Sequence, residues 1–174
     1  MKPFQINETY NHHSEKILGC MLSESYYDFI IKNIKDMKSY NFKDINYDLS
    51  NNMINTVIEY NLKLDVPSWV RDLSKTDNYY TIEQSCYDLS NNIVNVTVTM
   101  PTLPMNHLVT IKYNYVLTNN DNICNREYTF YINCSLKWLK TPIELLIKRI
   151  ILQKIKMKYK LTKKFLTFNN DNVF

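Results

Sequence analysis

The side chains that most often do chemistry are scarce in this chain and poorly spaced for it. His12, His13 and His107 are the only histidines in 174 residues. A metal site would need His107 to meet the adjacent pair in space beside a carboxylate. Cys20, Cys86, Cys124 and Cys134 are scattered, with no CxxC pair. They read as free thiols rather than a zinc or disulfide framework. No nucleophile elbow is present. Gly19 is the sole glycine, and loops that bring backbone against phosphate need several. Walker, dinucleotide-binding and kinase-type loops are thereby excluded. Glu59, Glu83 and Glu127 fall in alternating segments, on what reads as the solvated face. No acid–base pair is legible, so no enzyme, metal or cofactor is expected. A carboxylate or histidine projecting into an internal cavity would revive catalysis by a small hydrolase or cyclase.

The elements that must position these side chains begin with a repeated hexapeptide. YDLSNN occurs at 47–52 and again at 87–92, forty residues apart. Asp and Ser bond back to local backbone, and Asn accepts positive φ where the chain has no glycine to offer. Alternation follows both copies. After the first, Ile54, Thr56, Ile58, Tyr60, Leu62 and Leu64 share a face; after the second, Val94, Val96, Val98 and Met100 do. Before the second, Tyr80, Ile82, Gln84 and Cys86 lie on one side. Each copy is the turn of a β-hairpin. The sequences outside the turns do not match, so this is one turn chemistry used twice rather than a solenoid repeat. HLVTIKYNYVL alternates Val109, Ile111, Tyr113 and Tyr115, and REYTFYINCSLKW alternates Tyr128, Phe130, Ile132, Cys134, Leu136 and Trp138. Short connections make these strands an antiparallel meander.

Helical spacing marks both ends. Residues 14 to about 35 carry Ile17, Leu18, Met21, Leu22, Phe29, Ile30 and Ile34. Ser14 is the expected N-cap, and Ser23-Glu24-Ser25 divides the stretch into two pieces. Thr141-Pro142 opens a long helix whose stripe is Ile143, Leu146, Ile147, Ile150, Ile151 and Ile155, running to about residue 160. FQINETY before the first helix reads as a short strand. The domain is expected to span 1–162, with a basic and polar tail at 163–174. Residues 140–174 hold nine Lys/Arg against two acids, +7, while 1–139 carry −3 (12 minus 15). Apolar residues make up 45% of the chain, enough for a real core. No run of about 18 apolar residues could form a membrane span. The N-terminal stretch lacks the apolar centre of a secretory signal, so a cytoplasmic, peripherally membrane-associated protein is expected.

The element order is strand, two helices, six antiparallel strands and a long C-terminal helix. It resembles START-like domains, the helix-grip superfamily, and within them most resembles VASt-type sterol-binding domains. MPTLPMNHLVTIKYNYVLT, REYTFYINCSLKWLKTPIELLIKRIIL and YYTIEQSCY carry the resemblance, which covers about residues 4 to 160. PRELI-type phospholipid-transfer domains and polyketide-cyclase-like domains share the order. The loop at 65–76 departs from the VASt pattern. The resemblance implies an α+β fold with about seven curved antiparallel strands wrapped on the C-terminal helix, and a cavity between them.

From the face assignments, the lining of such a cavity would include Ile58, Tyr60, Leu62, Gln84, Val96, Val98, Ile111, Tyr113, Phe130, Ile132, Ile147 and Ile151. Tyr60 and Gln84 would point inward, and a buried polar group needs a partner. In DVPSWVRDLS, Trp69 would gate the cavity and, with Val70, dip into a membrane interface, where tryptophan is favoured; alternatively Trp69 plugs the core. Lys154, Lys156, Lys158 and Lys160 would meet anionic headgroups. The expected function is non-enzymatic binding, with intermembrane transfer, of a sterol or phospholipid by a monomer. A ligand-free interaction or scaffold domain of the same fold is the alternative. No RRM, KH or zinc-finger pattern supports nucleic-acid binding.

Overall fold

In the computed structural model, residues 2–64, 66–76, 78–102, 109–135 and 140–170 are described. His107, Leu136 and Trp138 lie outside them. The two YDLSNN copies close two hairpins: β2 (Met37–Asp48) with β3 (Met53–Lys63), and β4 (Asn78–Asp88) with β5 (Ile93–Thr99). Asn52 and Asn92 hold φ of 53° and 54°, the left-handed region that Asn tolerates. Asp48 accepts from Ser50 Oγ at 2.6 Å and from the Asn51 backbone N–H at 3.2 Å. Asp88 accepts from the Asn91 N–H at 3.0 Å. Both turns lie at the same end of the sheet and touch, Asn52 Nδ2 donating to Ser90 Oγ at 3.0 Å.

β1 (Phe4–Tyr10), β6 (Val109–Asn120) and β7 (Ile123–Cys134) complete one antiparallel sheet of order β1-β7-β6-β5-β4-β3-β2. α1 (Ser14–Met21) and α2 (Glu24–Asn33) follow β1, α3 (Ser68–Ser74) links β3 to β4, and α4 (Lys140–Asn170) follows β7. One face of such a sheet must be covered. The apolar stripe of α4 does this, Ile147 and Ile151 packing with Ile111 and Ile132.

Two local expectations change. Ser14 is the first residue of α1 rather than its cap; its backbone N–H donates to Asn119 Oδ1, near the end of β6, at 2.9 Å. Ser23 does cap α2, accepting from the Tyr26 N–H at 3.3 Å. α4 also continues through the stretch expected to be a tail. Phe165 and Leu166 are buried, Phe165 meeting the rings of Tyr26 and Phe29 at 5.4 and 5.5 Å. Thr162 Oγ1 lies 2.7 Å from Tyr26 Oη. Burial against α2 therefore carries the helix past residue 160.

Candidate functional site

The concave side of the sheet and α4 enclose a cavity of about 170 Å³. Eight of the twelve expected lining residues border it: Tyr60 and Leu62 on β3, Val96 and Val98 on β5, Ile111 and Tyr113 on β6, Phe130 on β7 and Ile151 on α4. Ile58, Ile132 and Ile147 face inward but pack into the core instead.

Gln84 is a correction: it is exposed. It lies on the outer sheet face, with Asn55, Asn95, Asn114 and Lys112, in an open depression of about 570 Å³. The register explains the inversion. Tyr60 pairs with Thr81, Ser85 with Val96 and Glu83 with Val98, and antiparallel partners share a face. β4 therefore turns Tyr79, Thr81, Glu83, Ser85 and Tyr87 inward. Aromatic residues stand on both its faces, so its own alternation is ambiguous, whereas pairing through the second YDLSNN turn with Val94, Val96 and Val98 is not.

Glu83, expected on the solvated face, is consequently a cavity residue, together with Thr81 and Ser85. On the opposite wall stand Lys154 and Lys158. Lys154 Nζ donates to Asp36 at 3.0 Å, and Lys158 Nζ lies 5.6 Å from the centre of the Tyr27 ring. Lys154 and Lys158 thus border the cavity, whereas Lys156 and Lys160 are exposed. Burial first, and then the charge of Glu83, push the hydroxyls of Tyr60 and Tyr113 well above the ordinary tyrosine range. Both are neutral hydrogen-bonding groups at physiological pH.

α3 closes one end of this space. Val66 and Val70 are buried with Leu64 and Tyr79, against Leu62, Met100, Leu146 and Ile150. Val70 is thus a core residue and not a membrane contact. Trp69, 39% exposed, points away from the cavity.

Beside the cavity lies a charged cluster that the alternation pattern had not singled out. Glu8 and Arg126, cross-strand partners on β1 and β7, are both buried. Arg126 Nε donates to Glu8 Oε2 at 2.9 Å, and Nη2 contacts the same oxygen and Tyr10 Oη. Tyr10 Oη also donates to Glu8 Oε2, at 2.8 Å. The guanidinium carbon sits 5.0, 5.4 and 4.8 Å from the ring centres of Tyr10, Tyr115 and Tyr128, cation–π distances. Period two predicts this placement: Glu8 shares a face with Tyr10, and Arg126 with Tyr128 and Phe130. Cys20, Cys124 and Cys134 are buried free thiols and Cys86 is half-buried. Burial pushes the Cys20 thiol up to about 12, which leaves it unreactive.

The architecture is the helix-grip, Bet v1-like fold. The chain superposes on Ara h 8.0201 with a TM-score of 0.64 at 12% identity, covering 95% of this chain and 97% of that one. Norcoclaurine synthase from Thalictrum flavum gives 0.63 at 6% identity over 95% and 86%. A protein of Thermus thermophilus gives 0.60 at 7% over 93% and 94%. At these identities the likeness defines the fold. No protein-family model matches the chain, and no curated protein matches it in sequence. Among the described residues, no helix is long and apolar enough to cross a membrane.

Proposed function

We propose that this chain binds an apolar small molecule, a lipid of the sterol or phospholipid type, without catalysing its conversion, and moves it between membranes. The observation that carries the proposal is the largely apolar cavity between sheet and α4. A filled-core scaffold of the same fold has no reason to keep such a space, because an unfilled cavity forgoes packing contacts. At about 170 Å³ it compares with an engineered cavity of about 150 Å³ in another protein that takes up benzene. That is room for one ring or a short branch. A whole lipid enters by displacing α3 and the start of α4, whose contacts close one end. Burial of its surface drives uptake, at roughly 25 cal/mol per Å². One structural neighbour, norcoclaurine synthase, has been seen with dopamine and hydroxybenzaldehyde (TM-score 0.61, 9% identity). Trp69, Lys156 and Lys160, all exposed, are the residues proposed to meet an anionic membrane.

Glu83 supplies the one observation that favours catalysis in the same cavity. No histidine, cysteine or second carboxylate borders it among the described residues, so the binding reading stands ahead.

Native mass spectrometry of the purified protein, followed by lipid extraction, tests the proposal. A sterol or phospholipid is expected at near one-to-one. Repeated recovery of empty protein, with no uptake from liposomes, overturns it in favour of the scaffold.

A further inference from the structure

Apart from tyrosines, the polar side chains on the sheet wall of the cavity are Thr81, Glu83 and Ser85, all on β4. Tyr60 on β3 and Thr81 on β4 are direct cross-strand partners, and Glu83 is the next residue on the same face of β4. All three border the cavity. Tyr60 and Thr81 are each 4% exposed, and neither side-chain oxygen has a hydrogen-bond partner. The Tyr27 hydroxyl lies near enough to bear on that of Tyr60 both by charge and by hydrogen bonding, at a geometry short of a well-formed bond. Among the described residues Glu83 makes no hydrogen bond or ion pair. Buried polar groups are otherwise almost always paired; here two adjacent ones, with the half-buried Glu83 beside them, border the same cavity.

We infer that the Tyr60–Thr81–Glu83 cluster receives a hydroxyl group at the buried end of the ligand. This rests on the binding function proposed above and adds the chemistry of the ligand's polar end. A carboxylate only accepts, whereas phenol and threonine hydroxyls can donate or accept. The group that fits must donate to Glu83 and accept from Tyr60 or Thr81, and a neutral hydroxyl does both. A ketone accepts but leaves Glu83 unpaired. A carboxylate is repelled by Glu83. An ammonium would have to lose its water facing Lys154 and Lys158 on the opposite wall. A purely apolar ligand leaves all three groups unpaired.

The test compares benzyl alcohol, benzylamine and toluene, probes of nearly equal size, by isothermal titration calorimetry on the full chain. Benzyl alcohol is expected to bind at least about tenfold more tightly than either of the others, a difference of about 1.4 kcal/mol. Tyr60→Phe and Thr81→Val are each expected to cut that preference below about threefold, as the loss of one modest hydrogen bond allows. Each removes an unpaired buried hydroxyl from the empty protein, so its thermal midpoint should hold or rise, and either variant suffices if the other fails to fold. Equal binding of benzyl alcohol and toluene overturns the inference and leaves the apolar-ligand function intact. Tighter binding of benzylamine overturns it in favour of a cationic ligand. A preference for benzyl alcohol that survives both substitutions places the hydroxyl elsewhere and also overturns it. If none of the probes binds, the inference falls, and the lipid-extraction experiment decides the function separately.

Discussion

At the scale of single residues, the molecule keeps charge in two very different settings. Glu8 and Arg126 are buried together, and removing one partner of such a pair strands the other charge without solvent. Glu8→Gln is expected to lower the unfolding free energy by about 3–5 kcal/mol, read from urea denaturation; a loss under about 1 kcal/mol, the range of an exposed pair, would show that water reaches Arg126. Asp48 is the exposed contrast. Hydrogen bonds from the Asn51 side chain, then Ser50 and the Asn51 backbone, hold its carboxyl down to about 2. Its folded value lies below its unfolded one. Its contribution to the turn is therefore complete above the ordinary aspartate range and is lost as pH falls through about 2. A carboxyl-carbon NMR titration should place the Asp48 midpoint near 2, and Asp88 below the ordinary range for the same reason. A midpoint at the ordinary value of about 3.9 would mean that the turn bonds do not persist in solution. Residue types alone could not rank Gln84 against Glu83. Both are polar residues in one strand, and which faces the cavity depends on the partner strands.

At the scale of elements, the hairpins are the most legible part. An Asp–Asn turn between alternating segments fixes both the connection and the register, and the structure places Asn52 and Asn92 at positive φ as that chemistry requires. α4 is legible in its first half, where the isoleucine stripe repeats at helical spacing. Its second half is lysine-rich, and it packs through scattered residues, Thr162 and Phe165 against α2 and Leu166 in the core. Phe165→Ala is expected to cost about 3–5 kcal/mol in a denaturant titration. It should also loosen the last turns of α4, seen as faster amide exchange beyond residue 160. Protection unchanged by the substitution would mean that α4 holds without this anchor. α3 was legible as apolar bulk in a loop, but not in its direction. One turn of helix sends Val70 inward and Trp69 outward, and nothing local selects between them.

At the scale of the whole molecule, seven strands and a 31-residue helix meet across a space that both leave partly empty. A ligand that binds there only in the folded state stabilises the fold by mass action. At a hundredfold excess over its Kd the gain is about 2.7 kcal/mol. For a chain of this length the melting temperature should then rise by roughly 2–4 °C per kcal/mol. Differential scanning calorimetry with the extracted ligand checks this, and an unchanged Tm at saturation would place the ligand outside the folded cavity.

By itself the sequence determined the element order, the two hairpin turns, the inner faces of β3, β5, β6 and β7, and hence the helix-grip architecture. These follow from periodicity and turn chemistry, which act over a few residues. Tertiary structure decided the face of β4, the burial of Val70, the turning of Lys154 and Lys158 toward the cavity, and the Glu8–Arg126 pair. Each depends on a contact between segments far apart in the chain: 118 residues separate Glu8 from Arg126, and the same number separate Asp36 from Lys154. The polar cluster of Tyr60, Thr81 and Glu83 belongs with these, because cross-strand register and the helix above it bring the three groups to one empty space.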